Sequence, residues 1–178
     1  MKLLPLLILF LSHTVTINAQ QWNQNTTETK ADFKIKNIGM YANGSFAEVA
    51  IESNLNTENL KGSYINGIIK VNSINTRNKK RDKHLLANDF FDASKYPNIK
   101  LVSTKIEKTS TNHYKLTAKL TIKETTKRIV IPLEISENDA SIVIKSNFNL
   151  NRRDYNVGGS SWVLSNTVKI QVVYTAKK

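Results

Sequence analysis

The amino-acid sequence predicts an all-β fold, an extended and roughly eight-stranded antiparallel up-and-down barrel with one or two short helices. Three observations support this prediction. Apolar and polar residues alternate with a period of two along most of the chain. Short polar segments separate the alternating stretches, as expected for strands that pair with their sequence neighbours. The chain of 178 residues is long enough for one domain with a substantial core.

Each predicted strand has one apolar face, because alternate side chains of a strand point to the same side. Phe33 and Ile35 begin this series, and Val168, Ile170 and Val172 end it. The sets between them are Ile65, Ile69 and Val71; Ile99 and Leu101; Tyr114, Leu116, Ala118, Leu120 and Ile122; Ile129, Ile131, Leu133 and Ile135; and Ile142, Ile144, Phe148 and Leu150. We expect these faces to share one interior.

The links between the later strands favour a closed barrel. Residues 107–112, 123–127 and 136–140 contain the Asn, Asp, Ser, Thr and Lys residues that are typical of turns. So many strands must close or stack, because unpaired strand edges promote aggregation. Strands of about ten residues are long for a β-sandwich. A barrel is therefore the preferred architecture and a sandwich the alternative.

Residues 82–96 break the alternation and predict one or two short helical turns joined by a loop. Pro97 prevents the helix from continuing. Neighbouring residues of a regular element point in different directions. We therefore expect one of Phe90 and Phe91 to fill the core and the other to line an opening for a ligand.

The N-terminus predicts export. Residues 1–19 contain a short basic start, an apolar run and a terminal Ala19, the three parts of a cleavable signal peptide. We interpret residues 20–30 as a loose segment, with a short first strand at its end as an alternative, and residues 31–178 as a single β-barrel domain. The sequence contains no cysteine, so neither a disulfide nor a lipid anchor on a processed cysteine is available. A periplasmic or secreted protein is expected.

The charge is strongly basic. The formal net charge of +12 becomes +11 when Lys2 is removed with the signal peptide. Most lysines are scattered along alternating strands, and the one dense cluster is residues 79–83 (KKRDK). Such scattered lysines favour solvated strand faces as the main explanation. Basic residues also attract anionic surfaces, so transient contact with an anionic membrane is the alternative explanation. A homodimer is a separate candidate partnership. Nucleic acid is not an expected partner, because the aromatic residues are not interleaved with the basic ones.

The sequence gives little support for catalysis or for a metal site. After the signal peptide it contains two histidines, His84 and His113, and none of the common hydrolase, metalloprotease or phosphate-binding motifs. Two histidines without cysteine do not make a structural zinc site. We therefore predict no enzyme activity, no metal and no cofactor. An enzyme that uses Asp82, His84 and Asp89 is kept as an alternative.

Several ordered segments resemble the signature of a known family. They are residues 73–76 (SINT), 81–85 (RDKHL), 89–97 (DFFDASKYP), 99–103 (IKLVS), 114–122 (YKLTAKLTI), 126–127 (TK) with Pro132, and 153–157 (RDYNV). In this order and spacing they are similar to the YceI-like family. The similarity extends from about residue 31 to the C-terminus. The departures are Ala118, Lys119, Glu124 and Asn156, where the family often has Gly, Asp, Gly and Gly.

The resemblance implies a lipocalin-like antiparallel barrel, exported to the periplasm or beyond, whose lumen holds a long isoprenoid chain or another amphiphilic lipid. It implies binding rather than a reaction. The residue pattern agrees independently, because an apolar lumen stabilises a buried tail by about 0.8 kcal/mol for each CH₂ group.

The predicted ligand-binding residues combine an apolar wall with a polar end. The wall residues are Phe33, Phe46, Ile69, Val71, Phe90, Phe91, Leu101, Leu120, Phe148 and Val172. Arg81 and His84 are expected near the loop end, where they either contact a ligand head group or hold the loop against the barrel. The alternative function is an interaction or stress-related module with a filled barrel, which would use the basic cluster at residues 79–83.

Overall fold

A computed structural model describes residues 22–177, in which an antiparallel sheet of eleven strands curls around a central lumen. The strands are β1 (Asn23–Gln24), β2 (Lys30–Asn37), β3 (Met40–Phe46), β4 (Val49–Asn54), β5 (Tyr64–Lys70), β6 (Ile74–Asn75), β7 (Asn98–Ser110), β8 (His113–Ile122), β9 (Thr125–Glu137), β10 (Ser141–Asn151) and β11 (Leu164–Lys177). One α-helix, α1 (Lys79–Leu85), is present in this part of the chain, with 3₁₀ turns at Val71–Ser73 and Arg152–Tyr155. The predicted all-β antiparallel barrel is confirmed, and two of the additional strands, β1 and β6, have only two residues each.

The strands are arranged in the order β4-β5-β7-β8-β9-β10-β11-β2-β3-β6, and β1 also pairs with β11. From β7 to β11 every strand pairs with its sequence neighbour, as the short polar turns predicted. The pairing of β11 with β2 places Ile170 opposite Phe33 and so joins the two ends of the chain. This contact bends the sheet into a barrel.

The barrel is completed by a side chain and a short loop rather than by a continuous ladder. The amide of Gln24 donates to the carbonyl of Val49 at 2.8 Å and accepts from the backbone N–H of Ile51 at 2.7 Å, which ties β1 to β4. Between β3 and β4, Ala47 donates its N–H to the carbonyl of Ser73 at 3.1 Å. These bonds occupy backbone groups that an open sheet edge would leave unpaired.

The wall is interrupted between β9 and β10. These strands pair only over residues 134–137 of β9. Pro132 has no N–H to donate to a ladder, and its carbonyl instead accepts a hydrogen bond of 2.7 Å from the Ser146 hydroxyl. Beyond this point β10 continues with β11 alone as far as Asn151.

Residues 20–30 are more ordered over their described part than the predicted loose segment. Trp22 is buried, and its indole Nε1 donates to the carbonyl of Leu55 at 3.1 Å. Its neighbours in β1 pair with the C-terminal end of β11. A two-residue strand is too short to show a period, so the sequence pattern does not locate β1 within this segment.

The helix α1 begins earlier than predicted. Asn78 precedes α1 and caps it by accepting a hydrogen bond of 3.0 Å from the N–H of Arg81. Residues 86–96 form turns, so the predicted helical region contains one helix followed by irregular chain. The segment between β4 and β5, residues 55–63, also consists of turns and bends.

Residues 1–19, predicted to be a signal peptide, lie outside the described residues. Within residues 22–177, no helix is both long enough and apolar enough to cross a lipid bilayer.

Candidate ligand cavity

A cavity of about 470 Å³ lies inside the barrel. Its wall is formed by alternate side chains of β2, β5, β7, β8, β10 and β11, as the period-two pattern requires. Most of these side chains are aliphatic or aromatic. The inward faces therefore enclose space instead of meeting in the centre, and the cavity can accept an apolar ligand.

The structure places eleven of the twelve predicted ligand-binding residues on this cavity. They are Phe33, Phe46, Ile69, Arg81, His84, Phe90, Phe91, Leu101, Leu120, Phe148 and Val172. Val71 is the exception. It is almost completely buried in the 3₁₀ turn after β5, where it packs in a cluster that includes Ala93, Ile99 and Tyr155. The alternation that predicted an inward side chain ends at Lys70, so Val71 belongs to the core beside the cavity.

Aromatic side chains cover one side of the cavity. The ring of Phe46 contacts Phe33 at 5.6 Å and Phe91 at 6.2 Å between centroids. Phe90 packs edge-on against the imidazole of His84 at 4.8 Å. Phe90 and Phe91 both line the cavity and both pack against the core cluster that contains Val71 and Tyr155, so the expected division of roles between them is not seen. They lie in a turn, where adjacent side chains are not held to opposite faces.

Two glycines in the barrel wall, Gly44 and Gly67, differ in the space available for a side chain. A Cβ atom at Gly44 would lie 2.2 Å from the ring of Phe33, so this glycine leaves room for the aromatic side chain of the paired strand. A Cβ atom at Gly67 would meet its nearest neighbours only at 3.9 Å or more, which is ordinary contact. Gly67 lies between the inward residues Ile65 and Ile69 of β5. A side chain there would extend into the cavity.

Arg152 forms the polar boundary at one end of the cavity. Its side chain is buried, with 5% of the residue exposed. The Nε atom donates to the carbonyl of Ser165 at 2.9 Å, and Nη1 donates to the carbonyls of Val157 and Gly159 at 2.9 Å each. Burial lowers the pKa of this guanidinium from its usual value. Among the described residues no carboxylate forms an ion pair with it, so its charge is stabilised by carbonyl dipoles.

Arg81 reaches the same cavity from α1. Its Nε donates to the Thr76 hydroxyl and its Nη2 to the Thr76 carbonyl, both at 2.7 Å. The carboxylate of Asp82 accepts from the Thr76 N–H at 2.9 Å. These contacts fix the start of the helix against β6. Arg81 therefore holds the loop and also borders the cavity, so the two roles considered from the sequence are compatible.

His84 and Asp89 form an exposed pair, with Nε2 and Oδ2 separated by 2.8 Å. The pair links the end of α1 to the turn that carries Phe90 and so positions the aromatic side chain at the cavity. Asp82 is engaged with Thr76 and does not join this pair. Within residues 22–177, no three acidic or histidine side chains come together as metal ligands.

Two buried tyrosines border the cavity in different ways. The Tyr174 hydroxyl is 2.9 Å from the buried Ser53 hydroxyl. The Tyr155 hydroxyl is buried and has no hydrogen-bond partner among the described residues. Burial raises the pKa of both side chains above the usual value, and the nearby Asp154 adds to the effect at Tyr155.

Replacement of these two hydroxyls is expected to have opposite effects on stability. Tyr174→Phe leaves the Ser53 hydroxyl buried and unpaired, so the free energy of unfolding should fall by about 1–2 kcal/mol. Tyr155→Phe removes a hydroxyl that lacks a partner, so the same quantity should stay constant or rise by up to about 1 kcal/mol. Urea denaturation of the two variants checks this. A larger loss for Tyr155→Phe than for Tyr174→Phe would contradict it.

Two cavity residues, Arg152 and Gly67, were not predicted from the sequence. Arg152 lies in the 3₁₀ turn that follows β10, so the alternation of Phe148 and Leu150 does not reach it, and its hydrogen bonds go to the loop before β11 and the start of that strand. Gly67 interrupts an apolar face within a strand, a position that often marks close approach of a ligand or of another chain segment.

These features define a class of protein: an antiparallel β-barrel that encloses an apolar cavity of ligand size, with arginine side chains at its border. A family model described as the YceI-like domain matches residues 22–176, and the chain belongs to this family. The resemblance inferred from the sequence motifs is confirmed.

Relatives of the chain include bacterial proteins called UPF0312 proteins. The one from Pseudomonas savastanoi pv. phaseolicola is 36% identical over 101 residues, which cover 56% of this chain and 53% of the relative. The one from Yersinia enterocolitica is 26% identical over 133 residues, which cover 71% of this chain and 69% of the relative. The chain spans about half the length of the first curated relatives that it matches.

Solved structures share the fold. The crystal structure of Burkholderia cenocepacia BcnA has a TM-score of 0.83 at 23% identity and covers 86% of this chain and 99% of that protein. The Campylobacter jejuni YCEI protein has a TM-score of 0.71 at 27% identity, covering 77% and 85%. A polyisoprenoid binding domain from Saccharophagus degradans has a TM-score of 0.70 at 15% identity, covering 88% and 97%.

Proposed function

We propose that this protein binds one long-chain amphiphilic lipid, an isoprenoid or a fatty lipid, in the barrel lumen, and that it catalyses no reaction. The observation that carries this proposal is the apolar cavity of about 470 Å³ inside the barrel. Its volume lies within the range of about 300–1,000 Å³ that is typical of small-molecule sites.

The shape and chemistry of the cavity suit a long tail with one polar end. Along the wall, aliphatic and aromatic side chains offer contact without hydrogen-bonding groups, so affinity grows with the length of buried tail. Arg81, Arg152 and the orphan hydroxyl of Tyr155 supply polarity at the border. A ligand head group placed near them can form hydrogen bonds while the tail extends into the lumen.

The comparisons support the same class of ligand. The Saccharophagus degradans domain, which shares the fold, is a polyisoprenoid binding domain. At 15% identity this likeness supports the kind of molecule and does not identify it. The N-terminal pattern of residues 1–19 supports a place of action outside the cytoplasm, in the periplasm or beyond.

The alternatives receive less support. A filled barrel that acts only as an interaction module would leave no reason for an apolar cavity of this size. The enzyme alternative required Asp82, His84 and Asp89 to act together. The Asp82 carboxylate accepts a hydrogen bond from Thr76. The exposed pair of His84 and Asp89 links the helix α1 to the following turn.

Native mass spectrometry of the purified protein, followed by solvent extraction, tests the proposal. We expect a mass above that of the polypeptide and a long-chain lipid in the extract. The extracted protein should bind one molecule of the same lipid when the lipid is returned. A bare polypeptide mass that persists after incubation with isoprenoid quinones and fatty acids would contradict lipid binding and favour the interaction module.

A further inference from the structure

Four large apolar side chains project into solvent at one rim of the barrel. Ile38 and Met40 lie at the β2–β3 turn and are 71% and 76% exposed. Trp162 and Val163 lie in the loop before β11 and are fully and 54% exposed. The two segments are joined by a hydrogen bond of 3.0 Å from the N–H of Ile38 to the carbonyl of Val163. We call these four residues the apolar rim.

Folding does not explain the residue at the tip of this rim. Ile38 and Gly39 both have positive φ angles, 47° and 77°, in the two-residue turn between Asn37 and Met40. Such turns favour Asn-Gly, because a β-branched side chain is strained at positive φ. The chain thus holds an isoleucine in an unfavourable conformation and exposes it to water. Strain of this kind points to a role in function.

The apolar rim lies beside one end of the cavity. Asn37 and Leu164 pair across β2 and β11, and both line the cavity. Their immediate neighbours along the chain are Ile38 and Val163, which belong to the rim. A ligand that leaves the lumen at this end would emerge beside the exposed apolar side chains.

Basic side chains surround the rim. The ammonium groups of Lys34 and Lys169 lie 4.8 and 5.4 Å from the ring centroid of Tyr41, next to Met40. Arg77 and Arg81 line a shallow depression together with Met40 and Tyr41. The helix α1 adds Lys79 and Lys80.

No acidic residue occurs in the sequence segments that form this side, 34–43, 75–81 and 160–169. Two carboxylates flank these segments. That of Asp32 lines a depression with Lys34, Arg77 and Lys169, and that of Asp82 accepts hydrogen bonds from Thr76. The segments carry seven basic side chains, Lys34, Lys36, Arg77, Lys79, Lys80, Arg81 and Lys169, against these two flanking carboxylates, so this side of the barrel keeps an excess of positive charge.

We propose that the apolar rim docks on an anionic lipid membrane, with Trp162, Ile38 and Met40 inserted at the interface and the surrounding lysine and arginine side chains near the head groups. Amphipathic surfaces with this division of apolar and basic residues bind at membrane interfaces. Tryptophan in particular favours the head-group region. This docking goes beyond ligand binding in the lumen and does not depend on it.

A second copy of the chain fits this surface less well. A two-fold interface places the same patch on both partners, so the lysine and arginine side chains of one copy would face those of the other. Like charges that meet across an interface oppose association. The charge around the rim is complementary to an acidic bilayer instead.

Vesicle binding tests the proposal. The purified protein should co-sediment with vesicles that contain phosphatidylglycerol and bind much more weakly to pure phosphatidylcholine vesicles. The emission of exposed Trp162 should shift to shorter wavelength on binding, while buried Trp22 contributes a constant background. Ile38→Asn and Trp162→Ala leave the net charge unchanged, and each should weaken partitioning into the anionic vesicles by about tenfold or more.

Matched controls separate this effect from general attraction to a basic protein. Val130→Asn removes an apolar side chain that is 53% exposed on β9, away from the rim, and should leave vesicle binding unchanged. The thermal midpoint of Ile38→Asn should stay constant or rise, because Asn suits the turn better than Ile. Lipid occupancy in native mass spectra should be retained in both rim variants, which distinguishes failed docking from failed ligand binding.

Three results would overturn the proposal. The first is unchanged binding of the Ile38→Asn and Trp162→Ala variants to anionic vesicles. The second is a loss of vesicle binding in Val130→Asn that equals the loss in the two rim variants. The third is a dimer in sedimentation velocity that Trp162→Ala converts to a monomer, because the surface would then be an interface between two copies of the chain.

Discussion

Gly67→Leu is expected to reduce lipid binding by about 30-fold without unfolding the barrel. Gly67 lies on the inward face of β5, and a Cβ atom there would be 3.9 Å or more from its nearest neighbours. A leucine side chain would therefore extend into the cavity. If it displaces two or three methylene groups of the ligand at about 0.8 kcal/mol each, the affinity falls by roughly 2 kcal/mol.

The effect can be measured with the lipid found by extraction, or with a fluorescent fatty acid titrated into extracted protein. The thermal midpoint should stay constant or rise, because glycine within a strand is less favourable than a larger residue. Gly67→Ala adds only a methyl group and should change binding little. Ile68→Phe adds volume to the outward neighbour and should leave binding unchanged. Wild-type affinity in a folded Gly67→Leu protein would show that the ligand does not occupy the lumen beside Gly67.

Arg152→Ala is expected to lower the free energy of unfolding by roughly 3–5 kcal/mol. The buried guanidinium donates to the carbonyls of Ser165, Val157 and Gly159. An alanine would leave these acceptors without a donor and would open space at the end of the cavity. The loop between β10 and β11 is organised around this one side chain, so the loss should be large.

Two further variants give this prediction its controls. Arg153→Ala removes the exposed neighbour, which makes one hydrogen bond of 3.2 Å to the carbonyl of Gly158, and should cost about 1 kcal/mol or less. The loss in the free energy of unfolding for Arg152→Lys should lie between the losses for Arg152→Ala and Arg153→Ala, because an ammonium group cannot reach carbonyls on several sides as a planar guanidinium does. Urea denaturation provides the measurement. An equal loss for Arg152→Ala and Arg153→Ala would show that the buried hydrogen bonds contribute little.

The sequence predicted the direction of most wall residues correctly because alternation is a local property of an extended backbone. Leu101, Leu120, Phe148 and Val172 all face the lumen, as their parity indicated. Val71 does not, because the strand ends one residue earlier and a 3₁₀ turn begins. Such a boundary depends on hydrogen bonds to distant segments, including that from the N–H of Val71 to the carbonyl of Pro97 at 2.9 Å.

The polar features of the site were harder to predict. Arg153 and its neighbours carried the family motif, yet Arg152 is the buried arginine. Its five hydrogen bonds go to groups that lie five to fourteen residues further along the chain. The alternation of residues within a strand cannot predict such contacts. In the same way, Ile38 and Val163 are far apart in sequence, and only the pairing of β11 with β2 brings them together at one rim.

The sequence by itself determined the seven strands with clear alternation, β2, β5 and β7 to β11, with their apolar faces, the short turns and the family, but not β1, β3, β4 and β6. The tertiary structure decided whether those faces enclose a cavity or meet in a filled core. The alternation of apolar and polar residues predicts which side chains point inward. The distance between opposite walls depends on the curvature of the whole sheet. That curvature is set where β1 is tied to β4 and where β11 pairs with β2, contacts between segments that no window of the sequence contains.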